Sequence, residues 1–405
     1  MTTQSFPAMW KLLAMEDCMS AIIDYRGKSP EKTKHGIPLI TAKIVKRGRI
    51  EKADEFIAVE DYDEWMRRGI PTEGDVVMTT EAPLGEIAQL DGRKVALAQR
   101  LITLRGKPNL VENRYLKFVM QSEFVQNQLK ARATGTTVLG IRQSELRKVL
   151  LPIPSIGEQR LIGTCLSTLD DKIDLNRRMN ETLEAIAHTI FKSWFSDIDS
   201  LADTYRESCT LGRFGDVAEN PRDQVIPEEI APDIPYIGLE HMPRKSMALG
   251  EWGRSGDVTS NKFSFEAGDI LFGKLRPYFH KVGVAAVKGV CSTDILVIRA
   301  KAPEWFGFVL GHSYSVEMVD FATSGSTGTK MPRTSWNELS RFNITIPSYE
   351  LLRAFNEIML PLVQRIQSNI HESRTLAQIR DTLLPKLISG EIRIKQAEKL
   401  IEAHV

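Results

Sequence analysis

The residues of this 405-residue chain best suited to chemistry are cationic, and they come in clusters. The segment 41–50 carries Lys43, Lys46, Arg47 and Arg49 with no acidic residue. The segment 271–281 sets Lys274, Arg276 and Lys281 among Phe272, Tyr278 and Phe279. Two further loops add Arg142 with Gln143, and Lys330 with Arg333. Cations of this kind neutralise phosphates, and Arg and Gln side chains on loops hydrogen-bond base edges. The chemistry implied is non-covalent: phosphate positioning together with base readout. Lys43, Lys46, Arg47, Arg142, Gln143, Lys274, Arg276, Lys330 and Arg333 are the candidate contacts. A charged run taken alone is more often a solvated face. What favours contact is that related clusters fall at comparable places in two halves of the chain.

Covalent chemistry has no such signature. The 27 glycines never fall as Gly-x-Gly, so neither a dinucleotide fingerprint nor a kinase phosphate loop is present. Gly325-Ser-Thr-Gly-Thr-Lys330 lacks the four-residue gap and the hydroxyl residue after Lys that a P-loop requires. There is no Pro-Pro dipeptide for an Asn-Pro-Pro-aromatic methyltransferase motif, and no Gly-x-Ser-x-Gly elbow. His371-Glu372 has no second metal-ligating histidine, and Cys18, Cys165, Cys209 and Cys291 are too scattered for a metal or redox motif. No catalytic residue and no metal ligand are predicted. Glu16 and Asp17 interrupt the early apolar stretch, and no run of about 18 apolar residues follows. A cytoplasmic location with reduced thiols is expected.

Composition is that of a folded protein: 42% hydrophobic and 26% charged residues exclude a disordered chain. The balance of 53 Lys+Arg against 52 Asp+Glu argues against a small, strongly basic nucleic-acid binder. That total conceals segregation. Residues 1–150 sum to +5, 151–200 to −3, 201–350 to −3 and 351–405 to +2.

The elements that must position the clusters occur twice. Ala133-Thr-Gly-Thr-Thr137, Ser144-Glu-Leu146 and Ile153-Pro-Ser155 recur as Ser326-Thr-Gly-Thr-Lys330, Asn337-Glu-Leu339 and Ile346-Pro-Ser348, an offset of 193 residues. Upstream, Gly-Asp-Val-Val77 and Gly-Asp-Ile-Leu271 match at 194, and Ile-Pro-Leu-Ile40 and Ile-Pro-Tyr-Ile237 at 197. Several matches at nearly one offset mark a tandem repeat. Each repeat opens with short β-rich runs bounded by Gly and Pro, with helical stretches such as 114–130 between them. This predicts a mixed α+β globule.

Each repeat closes on a long helix. Ile162, Leu166, Leu169, Ile173, Asn176, Asn180, Leu183, Ala187, Ile190 and Trp194 recur at steps of four and three, a coiled-coil seam. Phe355, Met359, Leu362, Ile366, Asn369, Ser373, Leu376 and Leu383 trace nearly the same stripe, and Pro361 predicts a kink or a late helix start. Helices of about 35 residues span roughly 50 Å. The fold expected is α+β: two similar globules (1–155 and 201–348) joined by two helical spacers (156–200 and 349–405). The spacers pack as an antiparallel, pseudo-twofold coiled coil. The seam is assigned to Leu166, Leu169, Ile173, Leu183, Ile190, Trp194, Met359, Leu362, Ile366, Leu376 and Leu383. Asn176/Asn180 and Asn369/Ser373 would fix register.

This layout resembles the specificity subunit of type I restriction–modification systems over essentially the whole chain. The likeness rests on the Thr-Gly-Thr…Glu-Leu…Ile-Pro-Ser loop running into Glu158-Gln159-Arg160 and a long helix, and on its echo at 327–348. Asp24-Tyr-Arg-Gly-Lys-Ser-Pro30 and the Gly-Asp strands fit the same pattern, while Tyr349-Glu-Leu-Leu352 departs from the acidic-Gln pair. The resemblance implies two target-recognition domains, each reading half of an asymmetric bipartite site on double-stranded DNA. It implies a spacer that sets the gap and docks two methyltransferase subunits, with restriction/translocase subunits joining them. S-adenosylmethionine, ATP and Mg would then belong to the partners, and this chain would hold no cofactor. The other readings left open are a DNA-reading subunit of another restriction–modification type and a coiled-coil protein-interaction scaffold.

Overall fold

The computed structural model describes residues 6–27, 29–195, 209–257, 259–328 and 330–402. The expected boundary at 200/201 lies outside them. The sequence repeat reappears as strand pairing. In the first repeat a four-stranded antiparallel sheet runs in the order Met19–Asp24, Leu101–Gly106, Val76–Thr80, Leu84–Gln89. In the second, Ala218–Glu219, Ile295–Ala300, Ile270–Gly273 and Val282–Ala285 keep that order, with Ala248–Leu249 added at the edge. Leu104 pairs with Val76 as Ile298 pairs with Ile270.

A second sheet centres on Ile37–Ile40, antiparallel to Phe56–Ile57 and parallel to Ala96–Leu97. Pro235–Ile237 does the same between Gly253–Arg254 and Gly289–Cys291. Ile40 pairs with Leu97, and Ile237 with Cys291. The two upstream offsets thus meet in one ladder, so the length difference falls in loops, where insertion is tolerated.

The Gly-Asp pairs serve the fold. Asp75 is fully buried; it accepts from Arg105 Nε and Nη2 at 2.8 and 2.7 Å and from the Thr72 amide at 2.9 Å. Asp269 repeats this with Arg299 at 2.7 and 2.7 Å and the Glu266 amide at 2.8 Å. A buried carboxylate needs this full set of donors. The helical stretch 114–130 is in fact two helices, Asn113–Gln121 and Glu123–Arg132, because Ser122 takes extended geometry and caps the second by accepting from the Val125 amide. Ser315 does likewise between Phe306–Tyr314 and Val316–Ser324.

The chain divides into two compact units, Met1–Asp171 with Leu376–Val405, and Lys172–Thr375. Each therefore holds one globule and a piece of both long helices, Ile156–Phe195 and Tyr349–Ser389. In the first unit Asp170 accepts from Arg380 Nη1 at 2.7 Å, and Glu158 accepts from Arg393. Early residues of the first helix thus meet Arg380, late in the second, and Arg393, just beyond its end, which makes the pairing antiparallel. Ile162, Leu166 and Leu169 are buried there, as are Leu376, Ile379, Leu383 and Leu387.

In the second unit Asn180 Oδ1 accepts from Asn369 Nδ2 at 2.8 Å, and Asn176 Nδ2 donates to Glu372 Oε2 at 2.7 Å and Ser373 Oγ at 3.3 Å. Phe355 stacks edgewise on Phe195 at 4.7 Å, so this pairing is antiparallel too. Asn176, Asn180 and Asn369 are all buried. The seam of the second helix runs through Phe355, Met359, Val363, Ile366 and Ile370, leaving Leu362 only half-buried. A straight helix drifts from a strict seven-residue repeat in this way. Ile173, Leu183, Ile190 and Trp194 are half-buried, the last two against the globule core of Phe308, Leu310 and Phe355.

The late helix start expected at Pro361 is wrong: the helix runs unbroken from Tyr349. Pro361 is exposed, as is Glu357, whose carbonyl loses its helical partner, so that group lies on the side open to solvent. The buried residues on the opposite face hold the helix together.

Glu184, on the first long helix, is buried in the second unit and accepts from Ser246 Oγ and the Ala248 amide, both at 2.9 Å. Burial still raises its carboxyl above the ordinary range. A carboxyl raised in the folded state binds its proton more tightly there than in the unfolded chain. Stability should therefore fall as pH rises from the ordinary carboxylate value through the folded one. Glu184→Gln keeps an acceptor oxygen and removes the charge. Urea midpoints across that window are expected to decline less with pH than in the wild type; parallel declines would count against this account.

Candidate nucleic-acid interface

Each globule places a loop junction beyond the end of its central strand. In the first unit Val76–Thr80 runs out at Glu81, which bridges Gly140, and Gly140 in turn pairs with Thr134. The Thr-Gly-Thr loop is thereby closed on itself and fastened to the strand. In the second unit Leu275 bridges Arg333, and Arg333 pairs with Thr327. These are the equivalent positions of the two repeats. Ala82 and Arg276, also equivalent, both adopt left-handed backbone (φ 51° and 53°) immediately before a proline. For non-glycine residues that conformation carries strain and aims the loop.

The second junction gathers Lys274, Arg276 and Arg333. Lys274 is half-buried; its amide donates to the Asp294 carbonyl at 2.8 Å, and burial lowers its ammonium pKa despite Asp294 nearby. The Arg276 amide donates to the Pro332 carbonyl at 2.8 Å. Its buried Nε has no protein partner, and its guanidinium lies 5.9 Å from the Phe279 ring centre. Arg333 Nε donates to Asp294 Oδ1 at 3.0 Å. Lys330 is exposed on the same loop. Three cations against one carboxylate leave the junction electropositive.

The first junction has a different lining. Arg142 is exposed at the start of the short helix Gln143–Leu146. Gln143 is half-buried, its Nε2 at the outer limit of a hydrogen bond, 3.5 Å from the Ile22 carbonyl. Arg26, held by Asp24, donates to the Ile141 carbonyl at 2.9 Å, and Arg100 pairs with Glu81 at 2.9 Å. Arg26, Glu81 and Arg100 escaped the cluster search, as did Asp294 in the second unit. The repeat offset signals two of them, because Arg100 and Asp294 are equivalent positions 194 residues apart. The sign of the charge there is reversed between units.

Lys43, Lys46 and Arg47 belong to a different segment, at and beside a hairpin. Val45–Lys46 and Arg49–Ile50 form a hairpin whose turn, Arg47-Gly48, has positive φ at both residues (50° and 83°), the geometry that tight hairpins favour. Lys43 pairs with Asp54 at 2.9 Å and Lys46 with Glu51 at 3.3 Å; the Arg47 amide donates to Glu86 at 2.7 Å. The segment read as purely positive is thus faced by acids, Glu51 and Asp54 from the loop that follows it and Glu86 from the strand Leu84–Gln89. Such exposed pairs are worth about 0–1 kcal/mol, so a phosphate could exchange for the acid at little cost.

The acidic-Gln pair has a structural task. Gln159 is fully buried; it accepts from the Glu112 amide at 2.9 Å and donates to the Leu110 and Pro154 carbonyls at 2.8 and 3.0 Å. It locks the first long helix onto the first globule. Leu352, at the equivalent place, is buried in an apolar cluster instead. Among the described residues no group of three or more His, Cys, Asp or Glu is placed to hold a metal ion, and no helix is long and apolar enough to cross a membrane.

Residues 25–185 match the family model for the type I restriction modification DNA specificity domain. The chain is 26% identical over 396 residues to the type I restriction enzyme MjaIX specificity subunit of Methanocaldococcus jannaschii, covering 89% of this chain and 88% of that one. It is 22% identical over 326 residues to the EcoDI specificity subunit of Escherichia coli, covering 71% of each. Its fold is similar to that of the type I restriction–modification S subunit from M. genitalium: TM-score 0.57, 16% identity, covering 96% of this chain and 97% of that one.

Proposed function

We infer that this chain is the DNA sequence-specificity subunit of a type I restriction–modification system. The observation that carries the reading is the pair of equivalent loop junctions, built on the same backbone bridges and lined by different polar groups. A shared scaffold with exchanged side chains is what two readers of two different half-sites require. Arg276 and Arg333 present guanidinium donors suited to guanine O6 and N7, whereas Glu81 presents an acceptor suited to the cytosine amino group. Lys274, Lys330, Lys43, Lys46 and Arg47 serve phosphates.

On this reading the target is an asymmetric bipartite site on double-stranded DNA, and the paired helices set the gap between its halves. The chain performs no bond-making step itself. It assembles with other subunits of the complex: two modification subunits that carry S-adenosylmethionine and methylate a flipped adenine, and restriction/translocase subunits that use ATP and Mg. The test is exchange of residues 1–155 for the first globule of a relative with a different target, followed by methylome sequencing. One half-site is expected to change while the other half and the gap persist. A change in both halves, or in neither, would overturn the modular reading.

A further inference from the structure

Each globule is clasped by two helix pieces, one continuous with it and one from the other repeat. The first globule holds the early part of the first helix and the late part of the second, and the second globule holds the converse. At the first globule a three-way junction is ionic. Lys117 Nζ, on the globule helix, donates to Asp170 Oδ2 at 2.5 Å, and Arg380 Nη1 donates to Asp170 Oδ1 at 2.7 Å. All three side chains are largely buried, with 10%, 15% and 23% of their surface exposed.

The repeat offset of 193 maps this triad onto Leu310, Val363 and Ala187. These three are buried together in the apolar core of the second unit, at 0%, 3% and 0% exposure. The same joint is thus built from charge in one unit and from hydrocarbon in the other.

We propose that this difference selects partners: it makes the chain close on itself and refuse pairing with a second copy. Because the two helices are related, one chain's first helix could pair with the first helix of another copy, and the second with the second. The asparagine seam does not forbid it. Asn176 would meet Asn180, and Asn369 would meet Ser373, all able to exchange hydrogen bonds. The junction does forbid it. In that exchange Arg380 would keep only its sequence neighbour Asp381, held by Nε and Nη2, and the Nη1 that now reaches Asp170 would be buried without a partner against Leu310 and Val363 of the other copy. Asp170 would lose Arg380 and face Ala187. Specificity here comes from the penalty on the wrong pairing. Breaking a buried ion pair shifts an equilibrium by about 100-fold or more per site.

The test is the full-length double variant Ala187→Arg, Arg380→Ala. Within one chain both junctions are now mismatched, but in an exchanged pair of copies both are matched. After unfolding and refolding, light scattering is expected to give the monomer mass for wild type and the dimer mass for the double variant. Adding Lys117→Leu, Asp170→Val, Leu310→Lys and Val363→Asp moves the whole triad to the second unit and should restore the monomer. A folded monomeric double variant as stable as Arg380→Ala alone would overturn the proposal. If the double variant does not fold, the relocated triad decides. Its recovery as a folded monomer supports selection by this junction, and its failure to fold overturns it.

Discussion

Replacing Arg105 by alanine is expected to destabilise the protein by about 2–4 kcal/mol, because Asp75 would remain buried with its charge uncompensated. Asp75 has no exposed surface, and Arg105 supplies two of its three donors. The Thr72 amide alone does not replace solvation by water. Arg299→Ala should behave alike in the second globule, where Asp269 is 4% exposed. Urea or thermal unfolding of each single variant checks this. A loss under about 1 kcal/mol in both would mean that water reaches the carboxylates and that the pairs are not part of the core. Asp75→Asn with Arg105→Met, which removes both charges, should recover much of the loss, since apolar replacement of a buried pair is often neutral.

The second large effect is on DNA. Changing Lys274, Arg276 and Arg333 together to alanine should weaken binding of the assembled complex by about 100-fold, from roughly 1 kcal/mol at each of three positions. The slope of log affinity against log salt should also fall, by about 0.9 for each phosphate that is no longer neutralised. The two readouts separate the roles. Removing a side chain that reads a base edge changes the preferred half-site and leaves the salt slope alone, whereas removing one that neutralises a phosphate does the reverse. Arg333 and Asp294 form an exposed pair, so the fold should tolerate the change, and an unaltered unfolding midpoint would certify that. Unchanged affinity and an unchanged slope would remove this junction from the interface.

Much of the scaffold was legible in the chain because its signals are local or periodic. The offsets of 193, 194 and 197 residues became equivalent strand pairs, and Asn176, Asn180 and Asn369 lie buried along the helix pairing. As a sign of a late helix start Pro361 misled, because a proline forbids one backbone hydrogen bond, yet only exposure decides whether water can replace it. Ser122 could have been read as a cap within a helical stretch, since its side chain offers the backbone an alternative partner. The candidate DNA-binding residues were legible as charges and not as sites. Nothing within 41–50 foretells that Glu86 sits against Arg47. Nor does any local feature reveal that the charge opposite each Thr-Gly-Thr loop changes sign between Arg100 and Asp294.

The cationic clusters thus divide into a hairpin with its own acids and two junctions that the backbone holds in common. By itself the sequence determined that there are two repeats and where their central strands and long helices lie, because hydrophobic periodicity and turn residues act over a few residues at a time. Only the tertiary structure decided which charges are neutralised and which stay available, and that Lys117, Asp170 and Arg380 meet at one point from three distant places in the chain. The physical reason is that an ion pair depends on distance and on burial, and both are properties of the packed globule that no spacing along the chain encodes.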